Sequence, residues 1–95
     1  YVEDAARGIL LAAEKYDKSD PVNLGSSFEI SIAELAKTIG KVVEFAGEIV
    51  FDTSKPDGQP RRKLDVSRAK AEFGFESRVD FKNGLERAVK WYINQ

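Results

Sequence analysis

SIAELAKTIGKVVEFAGEIVFD, residues 31–52, decides the fold on sequence grounds. Ser31 and Glu34 have the S-x-x-E spacing of a capping box, whose side chains satisfy free N–H groups at a helix start. Ile32, Leu35, Ala36, Ile39, Val42 and Val43 then recur at the helical period and form one apolar face. The spacing predicts a helix over 32–44. Gly40 inside it costs about 1 kcal/mol against Ala and reads as a close-packing position. Gly47 ends the region, and EIVFD (48–52) reads as a strand. Upstream, PVNLG (21–25) reads as a buried strand and SFEI (27–30) as a second short one. Strand, helix and strand within about thirty residues imply a βαβ unit with parallel strands and a right-handed crossover.

Outward from this unit, helices dominate. Val2, Ala5, Ala6, Ile9, Ala12, Ala13 and Tyr16 give residues 2–16 an apolar helical face, with Asp4 favouring the first turn. Asp20-Pro21 stops that helix. Asp65 is placed to cap a short helix, VSRAKAEFG, with Val66, Ala69 and Phe73 on one side and Gly74 at its end. Asp80 is placed to cap a last helix carrying Phe81, Leu85, Ala88, Val89 and Tyr92 inward, with Trp91 beside that stripe. The expected architecture is a small α/β domain over residues 1–95, with short, mainly parallel strands and about four helices. The chain starts on Tyr1-Val2 and drops at once into a helical pattern, which predicts a piece of something longer.

Composition bounds the chemistry. Ninety-five residues, 42% hydrophobic and 33% charged, suit one ordered domain with a small core. A net charge of −1 gives no global signal for nucleic acid or membrane. The chain has no Cys and no His, so disulfides, thiol or imidazole catalysis and soft structural metal sites are excluded within it. No apolar run is long enough to span a membrane. A cytoplasmic location is the default expectation.

One segment does not fit a bland surface. SKPDGQPRRKLDVSRAK, residues 54–70, holds Lys55, Arg61, Arg62, Lys63, Arg68 and Lys70 against only Asp57 and Asp65. Arg offers planar paired donors that suit phosphate oxygens. The helix that follows brings free N–H groups near its start. Asp57 adds an acceptor for a sugar or base group. Residue types alone leave three readings open: a solvated basic loop, a phosphate or diphosphate site, and a nucleic-acid patch. Composition ranks them in that order, because no aromatic residues alternate with the basic ones to stack bases. Elsewhere, Tyr1 with Lys15, and Tyr92 with Lys90, read as edge residues rather than acid–base pairs. Glu3/Asp4 and Asp17/Asp20 read as capping and solvated carboxylates rather than metal ligands. There is no G-x-G-x-x-G and no G-x-x-x-x-G-K.

Several stretches together carry a resemblance. YVEDAA before an amphipathic helix, then VNLG, SIAELAKTIGKVV, GEIVFDTSKPDGQPRRKLDVSRAKAEFGF and FKNGLERAVKWY, follow in order. The chain resembles the C-terminal part of extended short-chain dehydrogenase/reductases of the NAD-dependent epimerase/dehydratase type, nearest to the GDP-L-fucose synthase branch. The F-D-T-S-K-P-D-G-x-P-R run is specific to that branch; Y-V-x-D, N-L-G and D-V-S-R-A are broad. The resemblance implies a substrate-binding lobe over 1–95. It implies that Asp57 and Arg62 contact a sugar nucleotide, and it places Lys55 and Arg61 at further positions of the motif. The branch commonly has Lys then Leu after Pro-Arg, where this chain has Arg62 then Lys63. That extra Lys63 resembles the UDP-sugar branch, so GDP-sugars are favoured and UDP-sugars stay open.

The resemblance also implies what lies outside these residues. NADP or NAD would bind to an N-terminal Rossmann domain, which also carries the Y-x-x-x-K acid–base pair. The Cys and His of fucose synthases have no counterpart here. Residues 1–95 therefore hold no catalytic, cofactor-binding or metal-binding residue on this reading. A lobe shaped to pack on a Rossmann domain should expose an apolar patch, with Ile9, Leu10 and Leu11 the candidates, and should self-associate or be marginally stable alone.

Overall fold

The computed structural model describes residues 1–58 and 63–95. It contains four helices: α1 (Val2–Lys15), α2 (Ile32–Val42), α3 (Ser67–Phe73) and α4 (Phe81–Ile93). The chain divides into two compact units. The first comprises Tyr1–Phe28 and Lys63–Phe81; the second comprises Glu29–Arg62 and Lys82–Gln95.

The first unit packs α1 on α3. Its core is Ala69, Phe73 and Phe75, with Leu11, Ala12, Tyr16, Val22 and Leu24 against it. Tyr16 meets Phe73 edge-on at 5.7 Å between ring centroids, and its hydroxyl donates to the Asp20 carbonyl at 2.8 Å. The aromatic pair adds to what the buried area supplies. Gly74 ends α3 in the left-handed region, at φ 70°, where a residue with a Cβ is strained. The turn lets Phe75 N–H reach back to the Ala69 carbonyl and sends the Phe75 ring into the same core as Phe73.

The face that α1 buries is only partly the one its hydropathy predicts: Ala12 and, just past the helix end, Tyr16 pack on the core as expected. Asp4 and Gly8 are buried, with Leu11 and Ala12 half-buried beside them. Val2, Ala5, Ala6, Ile9 and Ala13 are exposed, and Ile9 and Leu10 stay 62% and 64% accessible. Gly8 explains the rotation. A Cβ there would lie 3.0 Å from the Phe75 ring and 3.1 Å from Leu24, so only a glycine lets the helix come this close. Of the three residues expected to form an apolar patch, Ile9 and Leu10 are exposed while Leu11 packs on the core.

In the second unit α2 begins as its cap predicts: Ser31 Oγ accepts from the Glu34 N–H at 3.1 Å. Leu35, Ala36 and Val42 are half-buried, whereas Ile32, Ile39 and Val43 are exposed. On α4 Leu85 and Val89 are half-buried, but Ala88, Trp91 and Tyr92 face solvent.

The expected strands do not form. None of the described residues is in a β-strand, so the parallel βαβ unit is absent among them. A strand exists only as half of a pair, hydrogen-bonded to a neighbour about 4.8 Å away. Val22 and Leu24 of PVNLG instead pack against the Phe73–Phe75 cluster, and Gly25 lies under Leu64. Ile49, Val50 and Phe51 of EIVFD are exposed. Their apolar character is real, but the described backbone offers them no partner strand.

Candidate functional site

The basic segment is built from two local turns and a helix. Asp52 makes the first turn. Its Oδ1 accepts from the Ser54 N–H at 2.9 Å and from the Ser54 hydroxyl, and the Lys55 N–H returns to the Asp52 carbonyl. The Ser54 hydroxyl, and then its N–H, hold the Asp52 carboxyl below the ordinary carboxylate range. Lys55 and Asp57 follow this turn and are exposed. A Cβ on Gly58 would meet nothing within 4 Å, so the backbone there is open to solvent. Arg61 and Arg62, the other two residues singled out from the sequence, lie outside the described residues.

Beyond them the chain enters the first unit. Asp65 Oδ1 accepts from the N–H and the hydroxyl of Ser67, at 2.9 and 2.7 Å, which pushes its carboxyl down. Val66, not Asp65, takes the helix-capping position, and Asp65 supports the first helical N–H from one residue further out. Two of the cations in this stretch are committed to local partners. Arg68 donates to the Pro21 carbonyl at 3.3 Å and lies 3.9 Å from Asp20. Lys70 pairs with Glu76 at 2.8 Å, and their mutual hydrogen bond raises the lysine and lowers the glutamate. The cluster that charge counting groups together is thus shared between the two units. Lys55 and Asp57 sit on an exposed turn of the second unit, whereas Arg68 and Lys70 brace α3 in the first.

The first unit also holds an open cleft of about 500 Å³ that sequence reasoning missed. Ser26, Ser27, Ser67 and Ser77 line it with hydroxyls, and Lys70 and Glu76 stand at its side. The signal was the serine pair straight after Gly25, which alternation of apolar and polar residues does not register.

No family model matches the chain. Relatives do. A protein named probable GDP-L-fucose synthase 1, from Oryza sativa subsp. japonica, is 40% identical over 93 residues, covering 98% of this chain and 28% of its own length. The GDP-L-fucose synthase of Sinorhizobium fredii is 37% identical over 94 residues, 99% of this chain and 30% of its own length. UDP-glucuronic acid decarboxylase 1 of Xenopus tropicalis is 37% identical over 92 residues, 97% of this chain and 22% of its own length. The chain belongs to the extended short-chain dehydrogenase/reductases, matching their C-terminal part. Among those enzymes, several GDP-L-fucose synthases cover it at 36–42% identity. The chain spans less than a third of the length of these curated relatives.

Proposed function

We propose that residues 1–95 form the substrate-binding lobe of an NADP-dependent epimerase/reductase acting on a GDP-sugar, as a GDP-L-fucose synthase does. The observation that carries this reading is the match to GDP-L-fucose synthases over nearly the whole chain. Asp57 and Arg62 contact the sugar nucleotide, with Lys55 and Arg61 adding positive charge for its diphosphate. The exposure of Lys55 and Asp57 on a pinned turn suits groups that meet a ligand. Residues 1–95 carry no glycine-rich dinucleotide loop, so NADP or NAD, and the bond-making groups, belong to an N-terminal Rossmann domain. The exposed Ile9 and Leu10 of α1 suit packing on that domain, or self-association without it. No helix among the described residues is long and apolar enough to cross a membrane, and a cytoplasmic setting is part of this proposal.

The test is Arg62→Ala in the full-length enzyme that contains this sequence. It should raise KM for the GDP-sugar at least tenfold while changing kcat less, because a phosphate contact is made in ground and transition states alike. An unchanged KM removes Arg62 from the site. A UDP-sugar is the second reading, favoured by the 37% identity to a UDP-glucuronic acid decarboxylase and by Lys63 after Arg62. A lower KM for the UDP-sugar than for the GDP-sugar decides for it. Binding of the chain to a short RNA that is tight and falls steeply with salt, with no preference for GDP or UDP, sinks both.

A further inference from the structure

Asp4 is the one charged side chain that is buried among the described residues, at 6% exposure. It stands in the first turn of α1, where a carboxylate ordinarily turns back to cap its own helix. It does not: no side-chain hydrogen bond caps α1. Its oxygens face a segment more than seventy residues away in sequence. Oδ1 accepts from the Arg78 N–H at 3.1 Å, and Oδ2 from the Val79 N–H at 3.0 Å. Arg7, one turn along α1, completes the arrangement. Its Nη2 donates to Asp4 Oδ1 at 3.3 Å and to the Glu76 carbonyl, and its guanidinium lies 5.0 Å from the centroid of the Phe75 ring.

We propose that Asp4 and Arg7 form a clasp that positions residues 75–79, so that the start of α1 and this segment open and close as one cooperative unit. The warrant is the cost of opening either side alone. A carboxylate removed from water keeps its charge only while donors surround it, and here two of the three donors belong to the far segment. If the segment lifts, Asp4 is stranded; if α1 frays, two backbone N–H groups lose their acceptor. Phe75 anchors the near end of the segment in the core; beyond it the Glu76 side chain is held by an exposed ion pair with Lys70, a weak tie. The clasp also holds the wall of the serine-lined cleft, because Phe75, Glu76 and Ser77 form that wall and run directly into Arg78 and Val79.

Amide hydrogen exchange of the 95-residue chain, followed by NMR at neutral pH, tests this. The Arg78 and Val79 amides should be protected to the same degree as Ala5 and its neighbours in the first turns of α1. Asp4→Asn should speed exchange at Arg78 and Val79 by about tenfold to a hundredfold, the range of hydrogen bonds to charged groups. Whichever way the Asn amide turns, its NH₂ faces one backbone donor. The amides of α2 should not change. Exchange of Arg78 and Val79 as fast as the exposed 52–55 turn in the wild type overturns the proposal, and so does an Asp4→Asn chain with unchanged protection there. Should Asp4→Asn fail to fold, the wild type decides by acid titration. The Arg78 and Val79 amide protons should shift together with the Asp4 carboxyl carbon. The charged side chains to account for are Arg7 on the same helix and, on the facing segment, Glu76, paired with Lys70, and Arg78, bonded through its backbone. Amide shifts that do not follow Asp4 overturn the clasp.

Discussion

The two units have similar composition but differ in how they use it. The first buries two phenylalanine rings, at 4% and 3% exposure, and a carboxylate that accepts three hydrogen bonds. In the second, the one buried position among the described residues is Gly84, which has no side chain to bury. Leu35, Val42, Leu85 and Val89 are half-buried there, while Ile32, Phe45, Val50 and Trp91 remain exposed. Apolar content is therefore not what distinguishes them. The first unit has a chain reversal at Gly74 that gathers residues distant in sequence, and the second has helices with amphipathic faces and little to set against them. Stability should follow the same division, with large effects confined to the first unit.

The largest expected effect is at Phe75. Phe75→Ala should cost about 3–5 kcal/mol, the range for emptying a buried aromatic site. Thermal unfolding followed by near-ultraviolet circular dichroism checks it. Ile32→Ala in the second unit should change the same midpoint by less than about 0.5 kcal/mol, as exposed positions do. Equal losses at the two sites would break the comparison. Gly8→Val comes next: with the Phe75 ring 3.0 Å from any Cβ, overpacking should cost about 1–3 kcal/mol by denaturant titration.

The acid limb sharpens the contrast further. The Val79 N–H leads in lowering the Asp4 carboxyl below its ordinary value of 3.8; burial opposes this, and the Arg78 N–H and Arg7 add to the lowering. A carboxylate lowered in the folded state stabilises fully above its unfolded value. That contribution should be constant above roughly pH 5 and fade as pH falls through 3.8 and below. First-unit amides should lose protection there, and Asp4→Asn should flatten that loss. Ser31→Ala should remove about 1 kcal/mol from α2, read as lower far-ultraviolet helicity with first-unit protection unchanged. The smallest effect is Ile9→Lys, within about 0.5 kcal/mol of the wild type. Its use lies elsewhere: sedimentation should show less self-association, and a wild-type chain already monomeric at high concentration would remove α1 as a contact surface.

The difference between the units also explains what was legible in the sequence. The Ser31 cap, the α2 period and Gly74 at the end of α3 were readable because each is a local rule acting within a few residues. The buried face of α1 was legible only at its C-terminal end, in Ala12 and Tyr16. A hydropathy pattern scores Asp4 as polar and Gly8 as neutral, yet these two pack. One carries its hydrogen-bond donors in from residues 78 and 79, and the other has no Cβ to hold the helix away from Phe75. The strands failed for a related reason: VNLG and EIVFD have strand composition, but composition does not supply a partner backbone. Of the candidate site, Lys55 and Asp57 stood out first by the charge of their segment and were named as substrate contacts through family resemblance, and nothing in their local chemistry separates them from a solvated turn. The serine-lined cleft was illegible because its walls come from three stretches of chain.

The one-residue spacing between Phe73 and Phe75 has a consequence for chain length. In a continuing helix, residues two apart point about 200° from one another, so both rings could not enter one core. The left-handed Gly74 resolves this by ending the helix and redirecting the chain within a single residue. Adding or deleting one amino acid there would turn the second ring to solvent and shift Arg78 and Val79 away from Asp4 together. Length variation should accordingly be forbidden between 73 and 79, a frame set by one backbone angle.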